Sequence, residues 1–218
     1  MNYQTFQPHS DLESLISCYW TLEVPAQKDT EKASISIKLS ALCARYELVD
    51  EKDVMTDLYR DILELCILAY KYDVDVSLDA EEARRLDISL ILFETLIQDK
   101  NLAGYEGLGF VVQAYQKRCL GVIDFLEKLA TFSGKKIPIR LVKGAYWDTE
   151  IKHAQEEGIE YYPVFTCKNY TDVSYLACAQ KLINNQKAFY PQFATHNALT
   201  VASILENFPT QGYEFQRL

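Results

Sequence analysis

Long apolar runs and metal-site patterns are both missing from this sequence. No stretch approaches the roughly 18 consecutive apolar residues that a membrane-spanning helix needs, and no basic segment followed by an apolar run opens the chain. The six cysteines are scattered, without a Cys-x-x-Cys pair and without a histidine at metal-ligand spacing. We therefore expect a soluble, unexported, cytoplasmic protein with reduced thiols and no bound metal.

Three common catalytic and nucleotide-binding motifs are also absent. The sequence has no G-x-S-x-G nucleophile elbow and no P-loop, and no G-x-G-x-x-G turn follows its first predicted strand. A dinucleotide-binding Rossmann turn is therefore not supported. Because few side chains suited to acid–base catalysis occur together, we expect a bound cofactor to perform the difficult chemistry.

What the sequence does contain is the composition of an ordinary globular domain. It has 218 residues, of which 49% are hydrophobic and 24% are charged, enough for one sizeable core. The 31 acidic and 22 basic residues give a net charge of -9, which opposes non-specific attraction to nucleic acid or anionic lipid. Residues 1–32 are more polar and end in the linker-like AQKDTEK, so we expect an N-terminal segment there and the main domain over residues 33–218.

Short apolar or β-branched runs alternate with helical stretches from Ile35 onward. The clearest helix places Leu58, Ile62, Leu65 and Ala69, with Tyr72, on one face. This alternation predicts a parallel sheet with right-handed crossovers. With seven strands it predicts a (β/α)8 TIM-like barrel truncated at its C-terminus, and a doubly wound sheet is the alternative. The predicted strands are residues 35–39, 74–78, 110–115, 137–142, 163–166, 191–195 and 214–218. The other predicted helices are residues 80–97, 121–132, 149–157, 172–184 and 198–207.

The stretch 136–155 combines a buried strand, a glycine turn, two aromatic residues and several charges. Arg140 and Lys143 lie in and at the end of the strand, where a cation is costly to bury without an anionic partner. A structural ion pair would explain a lone arginine. Together with Tyr146 and Trp147, however, the two cations favour a flat, anionic ligand, because aromatic rings and a guanidinium both suit a π-system.

Polar residues recur where the predicted strands end, which is where barrel enzymes place their catalytic groups. Each alone has an ordinary explanation, since a loop-end aspartate often caps a helix and a buried glutamine often pairs with backbone. Together they make a cationic rim on an acidic protein, which suits a carboxylate or phosphate-bearing ligand. The polar residues are Lys38, Asp79, Gln113, Arg140, Lys143, Thr166, Lys168, Thr195, His196, Asn197, Gln216 and Arg217.

Four long segments of the chain are specific enough to indicate a family: RLVKGAYWDTEIK, YPVFTCKNYTDVSYLACA, YPQFATHNA and EFQRL. They resemble the proline dehydrogenase domain of bacterial bifunctional proline utilisation flavoenzymes. ISIKLSAL, DAEEARRL and GLGFVVQAYQKR extend the resemblance over residues 33–218. It implies a distorted barrel that holds FAD, oxidises L-proline to pyrroline-5-carboxylate in proline catabolism, and passes electrons to a membrane quinone.

The resemblance also implies roles for individual residues. Arg140 would lie beside the reactive nitrogen of the flavin, and Gln113 would hydrogen-bond the isoalloxazine. Lys38 would meet the proline carboxylate, while Asp79 and Tyr146 would shape the substrate pocket. The rest of FAD would be held by Lys143, Gly144, Ala145, Trp147, Thr166, Lys168, Thr171, Thr195, His196 and Asn197.

The family pattern continues past Leu218 into an eighth strand and a helix with two arginines that hold the substrate carboxylate. We therefore expect a fragment with weakened proline binding and an open sheet edge that invites homo-oligomers. Peripheral attachment to the inner membrane is an alternative to a purely cytoplasmic location. A non-catalytic barrel that acts as an interaction or regulatory protein is the alternative function. A third hypothesis makes Lys38 or Lys143 the Schiff-base lysine of an aldolase-like barrel.

Overall fold

A computed structural model of the chain describes residues 32–43, 46, 51–208 and 212–216. Apart from Lys32, the predicted N-terminal segment lies outside the described residues, as does Arg217. The strands are β1 (Ser34–Ile37), β2 (Asp75–Leu78), β3 (Leu108–Gln113), β4 (Ile137–Val142), β5 (Phe189–Ala194) and β6 (Glu214–Gln216). The helices are α1 (Leu39–Leu42), α2 (Glu51–Lys71), α3 (Leu86–Ile97), α4 (Cys119–Ser133), α5 (Trp147–Glu156), α6 (Lys168–Asn184) and α7 (Ala198–Asn207), with 3-10 turns at Ala83–Arg85 and Lys100–Leu102.

The six described strands form one parallel sheet in chain order, from β1 at one end to β6 at the other. The sheet is curled, as the side chain of Arg140 on β4 shows. Its Nη1 donates to Ser36 Oγ of β1 at 2.5 Å, and its Nε donates to Gln216 Oε1 of β6 at 2.6 Å. Strands at opposite ends of the order thus face one another across the interior, which makes the fold a half-barrel of the TIM type.

The prediction of a strand at residues 163–166, and with it the count of seven, is wrong. β4 pairs directly with β5, with Ile137 opposite Phe189, so no strand lies between them. Residues 163–166 instead lie antiparallel to the loop that follows β3, with an isolated bridge between Gln116 and Val164. The N–H of Lys117 donates to the Pro163 carbonyl and the N–H of Phe165 to the Tyr115 carbonyl, so the segment packs as a loop over the end of β3.

The helices cover the sheet with the faces that their periodicity predicts. On α2, the predicted stripe of Leu58, Ile62, Leu65 and Ala69 is buried, which confirms that part of the pattern. All six residues of β3 are buried, as expected for a central parallel strand covered on both sides. In the described part of the chain, no helix is both long enough and apolar enough to cross a bilayer.

Candidate active site

A cleft of about 430 Å³ opens at the carboxyl ends of the strands. Its volume lies within the range of small-molecule pockets, roughly 300–1,000 Å³. Ala80, Val111, Val142 and Ala194 line it together with polar residues from several strand ends. Ten residues predicted from the sequence line it: Lys38, Asp79, Gln113, Lys143, Gly144, Ala145, Lys168, Thr195, His196 and Asn197.

A first charged group at the cleft combines a cation, a carboxylate and a phenol. The Nζ of Lys38 donates to the Tyr146 hydroxyl at 2.8 Å, pairs with Asp79 Oδ2 at 3.2 Å, and lies 5.4 Å from the centre of the Tyr146 ring. The hydrogen bond to Tyr146, with a smaller contribution from Asp79, raises the pKa of Lys38 above its usual value. Lys38 therefore stays an ammonium group, which suits a ligand carboxylate and does not suit a Schiff-base nucleophile.

Arg140 lies in the interior of the curled sheet, and the hydrogen-bond partners shown for its guanidinium are neutral oxygens. They are the Ser36 hydroxyl and the Gln216 side-chain amide. The structural ion pair considered for a lone arginine is not among these contacts. Because a guanidinium carries five N–H donors, donors remain for an anion that enters the barrel from the cleft.

Gln113, at the end of β3, is buried and fixed in orientation. Its Nε2 donates to the backbone carbonyl of Glu81 at 2.8 Å, and its Oε1 accepts from the backbone N–H of Ala145 at 3.3 Å. These contacts join the loops after β2 and β4 beneath the cleft. The side-chain amide has two N–H groups, so one contact with a carbonyl leaves a donor that a polar ring could use.

A second charged group at the cleft consists of two lysines joined by one carboxylate. The Nζ of Lys143, at the end of β4, lies 2.5 Å from Asp172 Oδ1, and the Nζ of Lys168, at the start of α6, lies 3.0 Å from Asp172 Oδ2. The hydrogen bonds from Lys143 and then Lys168 lower the pKa of Asp172. Asp172 was missed from the sequence, although its spacing of four from Lys168 on a helix is typical of an ion pair.

Gly144 lies where the chain leaves β4, with a positive φ of 141°. A Cβ at this position would come within 2.4 to 2.6 Å of ring carbons of Tyr115. Atoms cannot approach that closely, so the Tyr115 ring requires a glycine here. Packing against Tyr115 therefore explains why glycine occurs at position 144, independently of the cofactor role predicted for Gly144.

The loop after β5 organises the start of α7. The Asn197 side chain accepts a hydrogen bond from the backbone N–H of Thr200 at 3.0 Å, which makes it the N-cap of that helix. Thr195 Oγ1 accepts from the backbone N–H of Asn197 at 3.1 Å, and His196 is exposed beside them. The three residues line the cleft on a segment fixed by capping.

Five predicted site residues do not line this cleft. Tyr146 contacts the lining residue Lys38, and Arg140 contacts Ser36 and Gln216 inside the curled sheet. Trp147 lies at the start of α5 and donates its indole N–H to the Phe165 carbonyl at 3.0 Å. Thr166 is exposed, and Thr171 is buried within α6. Their cofactor contacts stay predictions.

A parallel half-barrel with a cleft at the carboxyl ends of its strands, lined by lysines, is the arrangement typical of β/α-barrel enzymes. The sequence profile of the family described as proline dehydrogenase matches residues 9–218, and the chain belongs to this family. The match includes most of residues 1–32, and the domain boundary predicted at residue 33 stays a prediction.

The chain is similar to several curated bacterial proteins. It is 56% identical over 192 residues to the bifunctional protein PutA of Klebsiella aerogenes and 50% identical to that of Rhizobium meliloti, in both cases over 86% of this chain. It is 34% identical to a proline dehydrogenase of Deinococcus radiodurans over 53% of this chain and 33% of that protein. The match covers 15% of the length of the two PutA relatives.

Solved structures are similar over nearly the whole chain. A mutant of proline utilization A from Bradyrhizobium japonicum matches with a TM-score of 0.88 and 45% identity, covering 96% of this chain and 22% of that one. Proline utilization A from Bdellovibrio bacteriovorus, inactivated by N-propargylglycine, matches with a TM-score of 0.85 and 28% identity, covering 97% of this chain and 23% of that one. Both similarities support the half-barrel and its place in the family.

Proposed function

We propose that this chain is the proline dehydrogenase part of a PutA-type protein, and that it takes part in the FAD-dependent oxidation of L-proline to pyrroline-5-carboxylate. The observation that carries the proposal is that two separate cationic groups line one cleft. Lys38, with Asp79 and Tyr146, suits a small carboxylate. Lys143 and Lys168 suit phosphate groups.

The residues present fit FAD in chemical type. A dinucleotide needs cations for its diphosphate, and Lys143 and Lys168 supply them in the cleft. It also needs donors for its ring, which the free N–H of Gln113 and the remaining N–H groups of Arg140 provide. Thr195, His196 and Asn197 would take the rest of the cofactor.

When bound, FAD supplies the two-electron acceptor that receives a hydride from proline. The side chains of the cleft orient the substrate for this step. Lys38 would hold the proline carboxylate as an ammonium ion, since its raised pKa keeps it protonated. Asp79 and Tyr146 would confine the ring beside it, and Arg140 would hold the flavin side. The only proton that must leave is the one on the substrate amine, so few acids and bases are required.

Binding of the cofactor is the first prediction. The purified chain, reconstituted with excess FAD and then desalted, should be yellow and should show a flavin absorbance band that denaturation releases. If no flavin remains bound while circular dichroism shows a folded α/β protein, FAD is not a ligand of this chain.

Activity with proline is a second, separate prediction. Proline should reduce an artificial dye in the presence of the flavin-loaded chain, and Lys38→Met should raise KM by about tenfold, because one charge-assisted contact with the carboxylate is lost. A KM unchanged by Lys38→Met would remove Lys38 from the substrate site. N-propargylglycine, with which the Bdellovibrio bacteriovorus relative was inactivated, should abolish the dye reduction.

A second candidate function is a non-catalytic barrel that binds a partner. The observation in its favour is that β1 and β6 each pair with one neighbour in the described sheet, so each presents an edge to another chain. Tight binding of flavin or partner without turnover would support this function. If the chain is catalytic, as proposed first, electrons would pass to a membrane quinone from a cytoplasmic protein that attaches peripherally to the inner membrane.

A further inference from the structure

We infer that Asp172 is a positioning residue that holds Lys143 and Lys168 together as one binding site for the diphosphate of a nucleotide cofactor. The inference rests on the proposed function, because it names how this chain would grip the phosphates. Asp172 is absent from the residues predicted from the sequence. It is not among the residues that line the described cleft, whereas both lysines are.

The contacts place Asp172 behind the two lysines. Lys143 comes from the end of β4 and Lys168 from the first turn of α6, so the carboxylate of Asp172 joins a strand end to a helix start. The side chain of Lys143 is 25% exposed, and its Nζ also lies 6.0 Å from the centre of the Tyr175 ring. Asp172 and Tyr175 therefore fix Lys143 from the protein side.

Lys168 is the more exposed of the two lysines, and it also pairs with Asp172. Its side chain is 75% exposed, and Asp172 is the partner shown for its amine in the described residues. A free lysine on a surface samples many rotamers, and a neighbouring ammonium would repel it. The carboxylate removes that repulsion and keeps the second amine at the cleft.

The remaining hydrogen-bond donors of the two amines explain why this arrangement suits a diphosphate. An ammonium group has three N–H donors, and each lysine uses one on Asp172. The other donors are available to oxygens on the cleft side. Two amines held by one carboxylate thus act as a paired anion site, and Lys38, Asp79 and Tyr146 form a separate group of contacts.

Two effects of removing the Asp172 charge have opposite signs, so an experiment can separate them. If the net charge alone mattered, Asp172→Asn would strengthen binding of an anion. If positioning matters, the amide, which presents one oxygen and one NH₂ group, would release a lysine and weaken binding. We expect the second effect to dominate.

The test uses the full 218-residue chain and two probes, ADP and riboflavin, with calorimetry or fluorescence to measure Kd. ADP carries the diphosphate, and riboflavin carries the flavin ring without phosphate. Asp172→Asn should raise the Kd for ADP about tenfold, the loss of roughly one charge-assisted contact, and should leave the Kd for riboflavin unchanged. Asp172→Glu should restore most of the ADP affinity, and the dependence of ADP binding on salt should weaken in Asp172→Asn.

A matched control lies on the same helix. Lys181 of α6 pairs with Asp124 of α4, away from the cleft, so Asp124→Asn breaks a comparable pair and should leave both Kd values unchanged. In Lys168→Ala, a second change of Asp172→Asn should have a smaller effect on ADP than in the unchanged chain.

Three results would overturn the inference: ADP binding that is equal or tighter in Asp172→Asn, a parallel loss of riboflavin binding, or the same loss in Asp124→Asn. If the unchanged chain binds neither ADP nor riboflavin, the proposed function fails as well. If it binds both and Asp172→Asn binds ADP normally, only the inference fails.

Discussion

The fold requires glycine at position 144, which lines the cleft. Its positive φ and the Tyr115 ring both oppose a Cβ. We expect Gly144→Ala to lower the free energy of unfolding by about 1–3 kcal/mol, since a strained backbone and a steric overlap must both be accommodated. Urea unfolding followed by circular dichroism measures the change.

Gly121 provides the control. It lies inside α4, where an added Cβ would meet nothing within 4 Å, and alanine is the better helix former there. Gly121→Ala should stabilise the chain by about 0.4–1 kcal/mol. Equal stability of the two variants would contradict the packing described at Gly144.

For individual residues, the sequence predicted which side chains lie at the site better than it predicted the contacts that they make. Lys38, Asp79 and Gln113 could be selected because they follow predicted strands, and the structure places them in one cleft. Their functional roles stay predictions. The contact of Asp172 with Lys143 and that of Ser36 with Arg140 could not be predicted, because each joins residues that are distant in sequence and adjacent only in the folded chain.

Among the secondary-structure elements, α5 carries a buried acid that makes stability depend on pH. Glu150 accepts a hydrogen bond from the backbone N–H of Ala83 at 2.5 Å and so ties α5 to the 3-10 turn. Burial raises the pKa of Glu150. A carboxyl with a raised pKa in the folded state holds its proton more tightly there, so its contribution to stability falls as pH rises from the unfolded pKa through the folded one.

We therefore expect Glu150→Gln to be more stable than the unchanged chain at neutral pH, because the amide oxygen still accepts from Ala83 and no charge is buried. The difference should shrink as pH falls toward about 4, near the usual pKa of a glutamate. Thermal unfolding across this range measures it. Glu156→Gln, on the exposed face of the same helix, should change stability by less than about 0.5 kcal/mol at every pH. A Glu150→Gln variant that is less stable at neutral pH would contradict the prediction.

The order of strands and helices was largely predictable, because period-two and helical patterns alternate along the chain. The predicted strands at residues 35–39, 137–142 and 191–195 overlap β1, β4 and β5. The prediction of a strand at residues 163–166 was wrong because periodicity does not identify the structure of so short an apolar run. The direct pairing of β4 with β5 depends on contacts that no local pattern contains.

At the scale of the whole molecule, the described sheet ends in two edge strands, and we expect these edges to associate. β1 and β6 each have one partner strand in the described sheet. Sedimentation should show a mass that rises with concentration. Ser34→Lys, which places a charge on the exposed residue at the start of β1, should weaken this association several-fold.

Asn101→Lys gives a charge-matched control, because Asn101 is exposed in a 3-10 turn outside the strands. It should leave the mass unchanged. A chain that is monomeric at every concentration would show that the edges do not pair with one another.

Arg140 links the interior of the half-barrel to those same edges. Its guanidinium holds Ser36 of β1 and Gln216 of β6 at once, so the two ends of the sheet share one hydrogen-bonding group. A ligand that takes the remaining N–H donors of Arg140 binds the same guanidinium that holds both strands. Ligand affinity and the closure of the half-barrel are then reciprocal: whatever separates β1 from β6 alters binding, and binding alters the separation by the same free energy.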